Sequence, residues 1–137
     1  MTLFYVLLAL TIILFLGFRR RAMAGVSSIT PLELATALDE GAPWVVVDVR
    51  PHIYFEQGWI PGSVNWPLEE IAASLDRAAP WKERRLVLVC HSGMTAVPAV
   101  RRLKANGFAD VVNLRGGVQG WRKVTGGASW NTPEDTQ

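Results

Sequence analysis

Val87-Leu88-Val89-Cys90-His91-Ser92-Gly93-Met94-Thr95-Ala96 joins an apolar β-type run to a helical pattern that reads from Thr95 to Asn106. The junction falls on Cys90, the single cysteine of the 137-residue chain. A thiol at a strand-to-helix turn faces the N–H groups that open the helix. Those groups lack intrahelical acceptors, and the aligned peptide dipoles add partial positive charge there. A thiolate is an anion, so the position predicts a lowered cysteine pKa and a nucleophilic sulfur at neutral pH. Gly93 allows a tight turn in which successive N–H groups point inward. A lone cysteine ending a buried strand also serves simply as a small core residue. Strand position alone does not separate these two roles.

Working outward, Trp44 to Val47 is a second unbroken apolar run, set off by Gly41 and Pro43. Such runs suit strands buried on both faces, as in a parallel sheet. Ile29, Ser63 to Asn65 and Val111 to Leu114 read as further short strands. Thr30-Pro31-Leu32-Glu33 is a helix start, with Thr as N-cap, Pro at the first helical position and Glu at the third. Leu34, Ala37 and Leu38 continue its apolar face. Pro51 to Gln57 reads as a short helix with Phe55 turned inward. Pro67 to Leu75 reads as a helix striped by Leu68, Ile71, Ala72 and Leu75, and Asp76 to Glu83 as a connection. After the cysteine loop, Val97, Val100 and Leu103 face inward, while Arg101, Arg102 and Lys104 form a solvated face. Val118 to Lys123 is a last short helix. The alternation predicts an α/β domain over residues 29–124, with a central, mostly parallel sheet flanked by helices. Residues 125–137, polar and Gly-rich, read as a loose tail. Ligands in such folds gather beyond the carboxyl ends of strands, where Cys90 lies.

Residues 1–18 carry no charge. As a helix they rise about 27 Å, close to a hydrocarbon core of roughly 30 Å. Three arginines follow, so residues 1–18 read as a transmembrane helix and 19–28 as a basic flank and linker. The positive-inside rule puts Arg19, Arg20 and Arg21 on the cytoplasmic side, and the soluble domain with them. The alternative is a signal peptide cleaved near Ala22-Met23-Ala24, with the domain exported. The chain has 14 basic and 12 acidic residues, a net charge of +2. Without the three arginines, eleven basic residues stand against twelve acidic ones, so the domain is near neutral and no basic face argues for nucleic acid. A single cysteine excludes an internal disulfide and a Cys-rich metal site, and His52 and His91 do not make up the lack. No metal or cofactor is expected. One free thiol suits a reducing compartment.

Cys90-x-x-Gly93-x-Thr95 resembles the active-site loop of rhodanese-type sulfurtransferases. Asp48-Val49-Arg50, the bend Gly58-Trp59-Ile60-Pro61-Gly62-Ser63-Val64-Asn65-Trp66-Pro67, and Leu114-Arg115-Gly116-Gly117 with Trp121 resemble that family in the same order. The resemblance implies that Cys90 takes sulfur from a small donor as a persulfide and passes it to a nucleophile. It implies an active-site loop of His91, Ser92, Gly93, Met94 and Thr95. Asp48, Arg50 and Arg115 take supporting roles, with the Asp48–Arg50 pair holding loops together or Arg50 binding an anionic substrate. The Ser92 and Thr95 hydroxyls either bond the sulfur or cap the helix. Trp59 stands where the family usually has His. Many thiosulfate-using members carry Arg or Lys in the loop, where this chain has His91, Ser92 and Met94. Ser92-Gly93-Met94-Thr95 looks more like the loop of mercaptopyruvate sulfurtransferases, which draw substrate-binding arginines from a second domain not found in these 137 residues. The donor therefore stays open. Phosphatases of a related fold need Cys-x5-Arg, and Ala96 occupies that arginine's place. With no second thiol, the acceptor must be an external thiol, cyanide in an assay, or a partner protein's cysteine. The alternative function is a membrane-tethered binding or sensing module with little or no turnover.

Overall fold

The two unbroken apolar runs become the paired inner strands of a sheet. In the computed structural model, which describes residues 1–23, 25–127 and 129–136, the helices and strands run α1 (Thr2–Met23), β1 (Ser28–Ile29), α2 (Pro31–Asp39), β2 (Val45–Asp48), α3 (His52–Phe55), β3 (Val64–Asn65), α4 (Leu68–Ile71), β4 (Arg85–Val89), α5 (Val97–Ala105), β5 (Asp110–Leu114) and α6 (Gly117–Thr125). Strand order is β1-β5-β4-β2-β3, and every neighbouring pair is parallel. Val45 pairs with Leu86 and Asp48 with Val89, so β2 and β4 end level beneath the cysteine loop.

Both faces of the sheet are covered, which is why its strands are apolar throughout. Val47, Leu86, Leu88 and Val111 pack with Val100 and Leu103 of α5 and with Trp66. Val46, Val87, Val89 and Val112 pack on the other side with Leu34 of α2 and with Val118 and Trp121 of α6. Helix α2 opens as expected. The Glu33 N–H donates to Thr30 Oγ1 at 3.2 Å, and the Thr30 N–H donates to a Glu33 carboxylate oxygen at 2.6 Å.

The structure departs from the sequence expectations at four places. Helix α1 runs to Met23, so the three arginines that follow the uncharged run lie in its last turns and the linker begins later than residue 19. Arginine is a good helix former, and cations are favoured at a helix C-terminus. Of the suggested Ala22-Met23-Ala24 cleavage site, Ala24 lies outside the described residues. Helix α4 is a single turn ending at Ile71, not a helix to Leu75, and a 3-10 helix spans Leu75–Trp81. Ser74 explains the stop: its hydroxyl donates to the Glu70 carbonyl at 2.6 Å, competing for the acceptor that would continue the helix, while accepting from the Trp66 indole at 2.8 Å. Helix α5 begins at Val97, not Thr95. A helix opened at Thr95 needs a first bond from the N–H of residue 98, and Pro98 has none.

The fourth departure is the tail. Trp59 and Asn131 exchange both backbone hydrogen bonds at 2.9 Å, and the Trp121 indole donates to the Ser129 carbonyl at 2.6 Å. The segment after α6 is therefore pinned across the bend that carries Trp59. Of Phe55, expected inward, the ring is half-buried and stacks on Trp59 with centroids 5.3 Å apart. Among the described residues α1 is the one helix long and apolar enough to cross a membrane, with mean hydropathy 2.1 in an 18-residue window of the span Thr2–Arg21. A signal sequence passes the same test.

The reciprocal cap on α2 sets a testable stability term. Hydrogen bonds from the Thr30 backbone and hydroxyl hold the Glu33 carboxyl below its usual range. A depressed carboxyl contributes stability above its unfolded pKa and loses it as pH falls through the folded value. Thr30→Ala should cost about 1 kcal/mol in urea unfolding at neutral pH. The gap between wild type and Glu33→Gln should close on acidification below the ordinary carboxylate range.

Candidate active site

Strand β4 ends at Val89 and delivers Cys90 into a loop held almost entirely by main chain. The Val118 N–H donates to the Cys90 carbonyl at 2.9 Å, and the Gln119 N–H to the His91 carbonyl at 3.2 Å. The first-turn N–H groups of α6 thus find acceptors in the loop. These bonds demand close backbone approach. A Cβ on Gly117, at φ +57°, would run into the Cys90 carbonyl. A Cβ on Gly93, at φ +88°, would stand 2.7 Å from the Gly116 nitrogen and 3.0 Å from the Leu114 carbonyl. The Asn113 side-chain amide donates to the Gly93 carbonyl at 2.8 Å from within β5.

With the carbonyls of Cys90, His91 and Gly93 bonded to the body of the domain, N–H groups remain for the sulfur. The Gly93 N–H donates to Cys90 Sγ at 3.1 Å. Among the described residues, the N–H groups of Ser92, Met94, Thr95 and Ala96 meet no acceptor. The thiol is closed off from solvent: Cys90 is 1% exposed. Its side chain packs in the same core cluster as Val49, Leu88, Ala96 and Val100.

Beside the loop lies a cleft of about 830 Å³, walled by Tyr54, His91, Thr95, Gln119, Arg122 and Trp130. His91 and Thr95 are the sequence-predicted loop residues that face it. Ser92 is exposed, and neither its hydroxyl nor that of Thr95 bonds Sγ. Neither caps α5, whose N-cap is Ala96. Met94 turns toward the end of α1, its Sδ 4.0 Å from Arg19 Nη2. The Arg101 guanidinium reaches the Arg21 carbonyl nearby at 3.4 Å. Arg115 faces away from the cleft, toward Ser28 Oγ at 3.4 Å.

Asp48 and Arg50 form a buried pair. Arg50 Nη2 is 2.7 Å from Asp48 Oδ2 and donates to the Gly58 carbonyl at 2.8 Å. The Asn65 side-chain amide bonds the carbonyls of Asp48 and Arg50, both at 2.9 Å. Arg50 therefore fixes the bend after α3, and it also lines the cleft. Sequence reasoning missed Asn113, Arg122 and Trp130. Asn113 had a signal, a polar residue inside the apolar run Val111-Val112-Asn113-Leu114. Trp130 had none, since nothing local distinguishes a pinned tail from a loose one. Among the described residues no cluster of three or more His, Cys, Asp or Glu is placed to hold a metal ion.

The family described as Rhodanese-like domain matches residues 30–124. The chain is 39% identical over 93 residues to the thiosulfate sulfurtransferase GlpE of Pseudomonas syringae pv. syringae, covering 67% of this chain and 84% of that one. It is 34% identical over 97 residues to the probable adenylyltransferase/sulfurtransferase MoeZ of Mycobacterium tuberculosis, covering 71% of this chain. This chain spans only 25% of MoeZ. The crystal structure of a rhodanese-like domain protein from Staphylococcus aureus superposes with a TM-score of 0.65 at 34% identity, covering 70% of this chain and 91% of that one.

The backbone contact at Gly117 yields a prediction. Gly117→Ala combines a left-handed φ with a collision against the Cys90 carbonyl, and should cost roughly 2–4 kcal/mol in urea unfolding. Asn113→Leu leaves the Gly93 carbonyl without its side-chain donor, and should speed amide hydrogen exchange in the loop more than in β2.

Proposed function

The chain belongs to the rhodanese-like domain family, and from that premise we propose that it is a membrane-anchored sulfurtransferase working through a Cys90 persulfide. Cys90 thiolate attacks the sulfane sulfur of a donor. A bond forms from Sγ to that sulfur, and the donor's bond to it breaks, its electron pair leaving with the donor remnant. An acceptor thiolate or cyanide then attacks the outer sulfur and releases Cys90 as thiolate. The observation that carries this reading is the Gly93 N–H on Sγ, in a loop whose neighbouring N–H groups lack acceptors. Such groups favour an anion. The outer sulfur of a persulfide stands about 2 Å beyond Sγ, which carries the negative charge outward toward those donors. The sulfurtransferase names of GlpE and MoeZ support the same chemistry.

The acceptor is an external thiol or a cysteine of a partner protein, because no second cysteine exists in the chain to discharge Cys90. Helix α1 supplies the anchor, and Arg19, Arg20 and Arg21 at its end favour the cytoplasmic side for the domain. A second reading, a tethered binding module without turnover, draws on the 1% exposure of Cys90 and on a loop with no lysine or arginine.

The two readings part on mass and turnover. Incubating the full chain in detergent micelles with thiosulfate should add one sulfur atom at Cys90, and cyanide should remove it as thiocyanate. Cys90→Ser should do neither. No adduct from thiosulfate, mercaptopyruvate or inorganic polysulfide would sink the sulfurtransferase reading and leave the binding module.

A further inference from the structure

We propose that Arg122, set over the Trp130 ring, is the cation that binds the oxyanion end of the sulfur donor. The proposal rests on the sulfur-transfer reading for its chemistry, but it is argued from charges in the cleft. A donor such as thiosulfate brings a sulfonate group toward a thiolate, so two like charges must approach. A compensating cation is needed near the mouth. The loop from His91 to Ala96 holds no lysine or arginine. Two arginines line the cleft, Arg50 and Arg122. Arg50 is already committed, with Nε and Nη2 on Asp48 and Nη2 also on the Gly58 carbonyl.

Arg122 is different. Its guanidinium is exposed and makes no hydrogen bond or ion pair among the described residues. Its Cζ lies 5.1 Å from the centre of the Trp130 ring. A cation over an indole is held there by the negative face of the ring, and a guanidinium with no hydrogen bond or ion pair keeps its N–H donors for an oxyanion. The ring is itself well seated. Asn131 is tied to Trp59 by two backbone bonds of 2.9 Å, and Gly58 has no side chain because a Cβ there would collide with the Trp130 indole. Trp130 lies beyond residue 124, where the family match ends. The wall that positions Arg122 thus comes from the segment after α6, and it sets a cation beside a loop that has none. Glu69 lines the same cleft and opposes an anion.

The step balances without an outside reagent. Cys90 thiolate bonds the sulfane sulfur of thiosulfate, the bond to the sulfonate sulfur breaks, and sulfite leaves with the electron pair. Arg122 binds the three-oxygen end that becomes sulfite, and takes no part in the bond changes.

Thiosulfate binding to the full-length Cys90→Ser chain, measured by titration calorimetry in micelles, tests Arg122 apart from turnover. Adding Arg122→Gln should weaken binding about tenfold. Arg122→Lys in its place should recover part of that loss, and Glu69→Gln should tighten binding. In the Cys90 chain, Arg122→Gln should raise KM for thiosulfate more than it lowers kcat. Unchanged binding in the Arg122→Gln variant, or no thiosulfate binding to the Cys90→Ser chain, would overturn the assignment. Binding that depends on Arg122 with no adduct at Cys90 would instead refute sulfur transfer while upholding the anion site.

Discussion

The N–H groups of Val118 and Gln119 end on the carbonyls of Cys90 and His91, at 2.9 and 3.2 Å, and this pair of main-chain bonds decides which way the loop faces. A peptide group has a carbonyl on one side and an N–H on the other. With the carbonyls of Cys90 and His91 drawn toward α6, and that of Gly93 toward Asn113, the loop main chain is held in place, and the Gly93 nitrogen donates to the sulfur. The helix start satisfies its own orphan donors and leaves the loop's donors without partners. Glycine at 93 and 117 is the steric condition for this arrangement, since main chain meets main chain there with no room for a methyl group.

Much of this was legible in the sequence where the cause is local. Thr30 and Glu33 cap a helix through atoms three residues apart. Val45 to Val47 and Leu86 to Val89 declare strands buried on both sides by being apolar throughout. The spacing from Cys90 to Gly93, and the paired glycines after Leu114, point to a tight loop against a close neighbour. The rest depends on residues that meet only in three dimensions. Ser74 ends α4 because the Trp66 indole finds it. Trp130 is fixed because Asn131 meets Trp59, seventy-two residues earlier in the chain. The covered thiol depends on the core that gathers around Cys90, a packing no local pattern of residues encodes. Pro98 is the exception: its missing N–H was visible in the sequence, and it is what delays α5.

A line of contacts joins the centre of the sheet to the cleft wall. Asp48 sits at the end of β2, holds Arg50, and Arg50 holds the Gly58 carbonyl. Gly58 supplies the gap in which the Trp130 indole rests, with Arg50 Cζ 5.6 Å from its ring centre. A buried ion pair is weak support for stability, because desolvating both charges costs much of what their attraction returns. Here its role is geometric. It sets the position of a bend, the bend seats an indole, and the indole seats the guanidinium of Arg122.

The seclusion of Cys90, at 1% exposure, makes loading and unloading unequal in the sulfurtransferase proposed for this chain. In that proposal loading would require the donor to reach Sγ itself, inside the fold, while unloading would need access only to the outer sulfur, which projects about 2 Å farther. The resting thiol would thus be better shielded from adventitious capture than the sulfur it carries.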